Sequence, residues 1–139
     1  MKIAGLNFTK ISVEKFNTKS EELKVSTNID IQDILELKSD IIRTKDELLA
    51  VKFSYIINYE PNVAKIEIQG TLIVTLEQKL SREVLKEWKD KEKKIPDDFR
   101  IPLFNIILKK SSVKVLDLED EMNLPLHFPF PTFRKEGNQ

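Results

Sequence analysis

The residues that could do acid–base or metal chemistry are few and scattered. His127 is the single histidine, and it stands among prolines and phenylalanines with no cysteine or clustered acid beside it. Because metal sites need several such ligands, we expect the His127 side chain to be a packed or surface imidazole and not a metal ligand. We interpret the two aspartates at 97–98 as helix capping and the acids at 119–121 as the solvated end of a helix.

Nucleophiles and phosphate-binding loops are also missing from the pattern. The chain has no cysteine and only three glycines, so it offers neither a thiolate nor a glycine-rich loop. No nucleophile elbow surrounds its serines. The lysine run at 89–94 is interrupted by Asp90 and Glu92 and makes a poor phosphate site. We therefore predict a protein that is not an enzyme and uses no catalytic residues, metal or cofactor.

The composition limits the class of protein further. The 139 residues suit a single domain, 1–139, that is long enough to bury a core. The 23 basic residues balance the 23 acidic ones, which argues against a nucleic-acid partner. No apolar stretch has the length of a signal or of a membrane span. We expect a cytoplasmic protein with no membrane insertion.

Four segments of the first half alternate apolar and polar residues with a period of two, as half-buried strands do. They run over 6–16, 24–31, 48–59 and 65–76. A change of parity near 9–10 predicts a bulge in the first strand. The turn residues at 60–62 predict a hairpin between the last two strands. Since each strand is apolar on one face, we expect an antiparallel sheet with one covered face.

The connections and helices follow from changes in this pattern. The stretch 32–47 has an ambiguous period, and we interpret it as a crossover with exposed apolar groups. Ser81 is expected to cap a short helix over 81–94. A longer helix is expected to begin near Pro102, because proline is tolerated in the first turn. The β-branched residues of 112–118 leave open a break in that helix.

Two apolar rows indicate the buried face of the long helix. The first row is Ile101, Phe104, Leu108, Val115, Leu118 and Met122, and the second is Leu103, Ile106, Ile107, Val113 and Leu116. Three prolines exclude a helix over 124–133, and 134–139 is expected to be a frayed end. The predicted class is α+β: a four-stranded antiparallel sheet, a short and a long helix, and an extended Pro/Phe tail.

Three stretches resemble the SecB-like family, which comprises the export chaperone SecB and its archaeal and Gram-positive relatives. FTKISVE at 8–14 is similar to the first-strand motif of the family. The run 63–74, which contains IQGTL, is similar to its fourth strand with a glycine. The segment 101–133 is similar to its long helix and the Leu-Pro and Phe elements that follow.

The resemblance implies an ATP-independent holdase that binds unfolded polypeptide in exposed apolar grooves and assembles as a dimer or tetramer through its sheet. The implied client-binding candidates are Ile34, Leu35, Leu37, Ile41 and Ile42 in the crossover and Leu103, Ile107 and Leu116 on the long helix. Glu14 is the position that matches an acid used for partner binding. By composition alone, a core position is the better interpretation for each of these apolar residues.

Two other functions stay open from the sequence. The same fold could serve as an adaptor or structural module for one specific partner, for example as a chaperone dedicated to an antitoxin. A neighbouring toxin gene would favour that function, and broad suppression of aggregation would count against it. An enzyme with a scattered site would instead show clustered acids of raised pKa in a pocket.

Overall fold

The chain folds as a sheet followed by two helices, in the α+β arrangement that the sequence predicts. The computed structural model describes residues 1–17, 22–38, 45–90 and 92–136. In these residues the elements are, in chain order, β1 (Lys2–Lys15), β2 (Lys24–Leu37), β3 (Glu47–Glu60), β4 (Ala64–Leu76), α1 (Gln78–Lys89) and α2 (Asp97–Glu121). Residues 124–133 form a tail with neither helix nor strand, as their prolines require.

The four strands form one antiparallel sheet in the order β1-β4-β3-β2. The expected hairpin joins β3 to β4, and Val63 N–H donates to Tyr59 O at 2.9 Å across its turn. The expected bulge in β1 is also present, as a register shift between Phe8 and Lys10. This order leaves β1 and β2 as the two edge strands.

The helices pack on a single face of the sheet. The odd-numbered residues of β3 from Leu49 to Tyr59 are buried there, and the register places Ile66, Ile68, Leu72 and Val74 of β4 beside them. Val84 and Trp88 of α1 and Leu103, Ile107 and Val115 of α2 belong to the same core. The side chains of the alternate positions, such as Lys52 and Ile73, point away from the helices.

Strand β2 is longer than its sequence pattern predicts. It continues through Leu37 in register with β3, so residues 32–37 are not part of a crossover. A register shift between Ile31 and Asp33 explains the ambiguous period, because a bulge changes the parity of the residues that follow it. The expected crossover is therefore wrong for this stretch.

Both helices begin earlier than expected. Ser81 does not cap α1, which starts at Gln78 after Glu77, and the Ser81 side chain is buried. Pro102 lies inside α2, whose first turn carries Asp97 and Asp98. The positive end of the helix dipole stabilises the negative charge of these two acids, but neither of them is the N-cap residue of α2. α2 is also continuous over 112–118, where the sequence left a break open.

Among the described residues, no helix is long and apolar enough to cross a membrane.

Candidate functional site

The last turn of α2 directs the tail back onto the core. Asn123 adopts a left-handed conformation with φ of 53° directly after the helix. Leu124 N–H donates to Glu119 O at 2.9 Å, and Asn123 N–H is 3.4 Å from Asp120 O. These two bonds form a Schellman motif, in which the chain reverses at the end of a helix. Leu124 is thereby buried against the core.

A polar cluster of Tyr59, Glu119 and His127 fastens the tail at this point. Glu119 is fully buried, and its carboxylate meets the Tyr59 hydroxyl on one oxygen and His127 Nδ1 at 2.7 Å on the other. The Tyr59 hydroxyl also lies 2.9 Å from Pro125 O in the tail. The cluster therefore joins β3, α2 and the tail.

Hydrogen counting assigns the histidine tautomer in this cluster. His127 Nε2 is buried and has no hydrogen-bond partner among the described residues. A hydrogen on Nε2 would be an unmet buried donor, which is costly. The arrangement with fewer unmet donors places the hydrogen on Nδ1, which donates to Glu119. The imidazole also packs edge-on against Phe128, with ring centroids 5.0 Å apart.

Burial and the neighbouring carboxylate change the acidity of both tyrosines. Burial, followed by the hydrogen bond and charge of Glu119, raises the pKa of Tyr59. Burial is also the main cause that raises the pKa of Tyr55, whose hydroxyl lies 2.9 Å from Ser112 Oγ. Both phenols are therefore held in their neutral form.

The cluster fastens the fold and is not arranged for catalysis. The Glu119 side chain is 0% exposed and that of His127 only 4%, so no substrate reaches either group. The expectation that the acids at 119–121 are solvated is wrong for Glu119. His127, which was expected to be a packed or a surface imidazole, is packed. Among the described residues, no group of three or more histidine or acidic side chains could hold a metal ion.

The buried positions of α2 explain why the sequence pattern missed Glu119. Phe99, Leu103, Ile107, Ser111 and Val115 are buried at intervals of four, and Glu119 is the next member of that row. Such a row turns by about 40° per step around a helix of 3.6 residues per turn. When a helix crosses a sheet obliquely, the residues that face the sheet follow such a slowly turning row. The two apolar rows predicted from the sequence instead assumed that one fixed stripe of the helix is buried. Ile101 and Leu108 of the first predicted row are consequently exposed.

Three of the predicted client-binding residues lie in the core. Ile34 is buried on the helix side of β2, and Leu103 and Ile107 of α2 are buried against the same layer. Their side chains fill the space between sheet and helices, so they form no part of a surface on this chain. Ile41 and Ile42 lie outside the described residues.

The remaining predicted residues are accessible, but they do not lie together. Leu35 and Leu37 are 42% and 37% exposed, and their register with Ala50 and Leu48 places them on the face away from the helices. Leu116 is half-buried on α2, on the other side of the sheet. Glu14 is exposed on β1, opposite Lys65 of β4.

The exposed leucines belong to an apolar patch that we call the sheet corner. Leu35 and Leu37 of β2 are its exposed members, and the register places the half-buried Ile73 of β4 and the buried Leu48 and Ala50 of β3 beside them. Toward the other end, the same face carries polar groups such as the Lys10–Glu67 pair at 2.9 Å. The hydrogen bond from Lys10 lowers the pKa of Glu67. The uncovered face is thus apolar at one end and charged at the other.

A second accessible region lies beside the tail. Leu116, Asp117 and Asp120 of α2 and Leu126 and Phe130 of the tail line an open hollow of ≈ 390 Å³, which we call the α2–tail hollow. Exposed phenylalanines continue along the tail at Phe128, Phe130 and Phe133. The sequence predicted an extended Pro/Phe tail, but it did not indicate this lining.

The chain is similar to a known protein in structure, but it matches none in sequence. No protein-family model and no curated protein matches the sequence. The fold is similar to that of Rv1957, a SecB-like chaperone of Mycobacterium tuberculosis, in complex with a ChAD peptide from the Rv1956 HigA1 antitoxin. The TM-score is 0.49 at 12% identity, and the alignment covers 96% of this chain and 91% of that one.

Proposed function

We propose that the protein is a cytoplasmic, ATP-independent holdase of SecB type that binds non-native polypeptide. The observation that carries this proposal is the sheet corner, where Leu35 and Leu37 of the edge strand β2 remain exposed. Contiguous apolar surface on a folded chain is typical of an interaction site. No step of such binding requires a reactive group.

The edge position of β2 supplies the second component of the binding surface. Leu35 and Leu37 belong to β2, which pairs with β3 on one side only. An extended client can add its backbone to such an edge while its apolar side chains cover the leucines. Backbone pairing and apolar contact are both independent of client sequence, as a holdase requires. Leu116 adds a separate apolar contact on the helix side, on which the proposal does not depend.

We further propose that the protein assembles through its other edge strand. β1 is 14 residues long and is paired only with β4 in the described sheet. An unpaired edge of this length is a template for pairing with another strand, and a symmetric dimer satisfies it with a second β1. The mass in solution tests this assembly, and a monomer at micromolar concentration would contradict it.

The holdase proposal is tested by light scattering while a denatured model protein is diluted with and without this chain. We expect molar excess of the chain to suppress aggregation and the double variant Leu35→Ser/Leu37→Ser to lose most of that effect. Ile101→Ser is the matched control, because Ile101 is exposed but lies about 22 Å along α2 from Leu116 and outside the sheet corner. Circular dichroism confirms that each variant is folded.

The outcomes separate the proposal from its alternatives. Absence of suppression by the wild-type chain would rule out a general holdase. If the leucine variant still suppresses aggregation, the binding surface lies outside the sheet corner. If only one client is protected, for example an antitoxin, the protein is a dedicated chaperone or adaptor rather than a general one.

A further inference from the structure

The α2–tail hollow combines apolar walls with an acidic rim. Leu116, Leu126 and Phe130 form the walls, and Asp117 and Asp120 lie at the rim. Leu126 and Phe130 remain exposed, so the hollow is not filled by the chain's own described residues. An apolar group that carries positive charge is the chemistry that matches this lining.

The end of α2 has an unfavourable excess of negative charge. Its last turn contains no basic residue, whereas Asp117, Asp120 and Glu121 are exposed there. The helix dipole places further negative charge at this end, where cations are stabilising and acids are not. Lys15 Nζ donates to Met122 O at 3.0 Å, and Lys114 lies 3.8 Å from Asp117. A cation brought by another molecule would reduce this repulsion.

The tail itself carries the complementary group. Phe133 is 108% exposed, more than any other large apolar residue described, and Arg134 and Lys135 follow it directly. A phenylalanine ring followed by two cations matches the apolar walls and the acidic rim. This match of apolar character and charge favours the tail of this sequence as the occupant.

The chain's own tail is poorly placed to fill its own hollow. Phe130 is part of the wall, and Phe133 is only three residues further along, a reach of about 10 Å. Pro131 biases Phe130 toward extended backbone, which carries the chain onward instead of back. A second copy of the chain has no such restriction.

We propose that the α2–tail hollow is a docking site for residues 133–135 of a second copy. Phe133 enters between Leu116, Leu126 and Phe130, and Arg134 and Lys135 approach Asp117 and Asp120. Under two-fold symmetry each copy supplies one tail and one hollow. The contact uses neither β1 nor the sheet corner, so its failure would leave the holdase proposal unaffected.

Disulfide trapping tests whether the contact joins two copies, because the natural chain has no cysteine. Full-length Asp120→Cys and Lys135→Cys chains that carry different affinity tags are mixed and oxidised, so that Phe133 and Asp117 are kept. We expect several-fold more linked heterodimer than from Ile101→Cys mixed with Lys135→Cys, which measures random collision. Equal yields would overturn the proposal. Efficient linkage within one chain that carries both cysteines, at high dilution, would also overturn it.

Charge reversal tests the chemistry of the contact by fluorescence anisotropy. The probe is a labelled peptide of residues 128–136, and the receptor is the full chain. We expect Asp117→Lys/Asp120→Lys to weaken binding roughly 2- to 30-fold, as for two exposed ion pairs. A peptide with Arg134→Glu/Lys135→Glu should recover affinity for that variant. If the Asp117→Lys/Asp120→Lys variant binds the peptide as tightly as the wild type does, the proposal is overturned. Peptide binding without trapped heterodimers assigns the hollow to another polypeptide and also overturns it.

Discussion

At the scale of single residues, Gly70 shows how closely the central strands approach each other. Its position in β4 pairs with Phe8 on one side and Phe53 on the other. A Cβ atom there would lie 2.9 Å from Asn7 O and 2.9 Å from Phe53 Cζ. One of these neighbours is backbone, which cannot move without disturbing the ladder. The IQGTL motif thus contains a glycine for a steric reason.

We therefore expect Gly70→Ala to lower the free energy of unfolding by about 1–3 kcal/mol, as overpacking does. Urea titration followed by circular dichroism measures this change. Gly5→Ala is the matched control, because its nearest contact would be Ile73 Cδ1 at 3.9 Å. We expect the control to change the free energy of unfolding by less than about 0.5 kcal/mol. Equal effects at both positions would contradict the steric explanation.

The buried tyrosines predict a loss of stability in alkali. Burial and Glu119 raise the pKa of Tyr59, and burial raises that of Tyr55. A group whose pKa is higher in the folded state contributes stability that is complete below its unfolded pKa of about 10. That contribution is lost as the pH rises above this value. Urea titrations on both sides of pH 10 measure the loss.

Tyr59→Phe isolates the contribution of the cluster. At neutral pH we expect it to reduce the free energy of unfolding by about 1–3 kcal/mol, because Glu119 loses a buried partner. Above pH 10 the variant should lose less stability than the wild type. Tyr55→Phe is the control, since its partner Ser112 carries no charge. An alkaline loss that is identical in the wild type and in Tyr59→Phe would show that Tyr59 is not its source.

At the scale of elements, the reversal after α2 determines where the tail lies. Asn123 supplies the left-handed residue that the Schellman motif requires, and the motif brings Leu124 into the core. The Glu119–His127 pair then fastens the tail four residues after Asn123. Helix end and tail are therefore a single structural unit.

This unit predicts opposite effects for two substitutions at Asn123. Asn123→Val should lower the free energy of unfolding by about 1–2 kcal/mol, because a Cβ-branched residue is disfavoured at positive φ. Asn123→Gly should be neutral or slightly stabilising, since glycine adopts this conformation freely. Thermal unfolding and proteolysis of the tail measure both effects. A stable Asn123→Val variant with a protected tail would contradict this account.

At the scale of the whole molecule, the two helices cover one face of the four-stranded sheet, and no other element of the described residues covers the opposite face. The core lies between Phe53, Tyr55 and the neighbouring β4 residues on one side and α2 on the other. The sheet corner lies on the opposite face, where β2 also presents its free edge. The proposed interaction surface combines this face with the free edge of β2, and both are features of the assembled sheet.

The sequence alone determined the features that depend on local pattern. Period-two alternation predicted four strands and one covered face, turn residues at 60–62 predicted the β3–β4 hairpin, and prolines excluded a helical tail. These follow from backbone geometry and the alternation of side chains along a strand. Such rules act within a few residues, so they do not need the rest of the chain.

Only the tertiary structure decided which residues are exposed. Glu119 looked solvated and is buried, whereas Leu103 and Ile107 looked like binding residues and lie in the core. Leu35 and Ile34 are adjacent in sequence, yet β2 turns one toward solvent and the other toward the helices. Burial depends on how α2 packs across the sheet and on where the tail returns to it. Both are set by contacts between residues far apart in sequence, which a local sequence pattern does not encode.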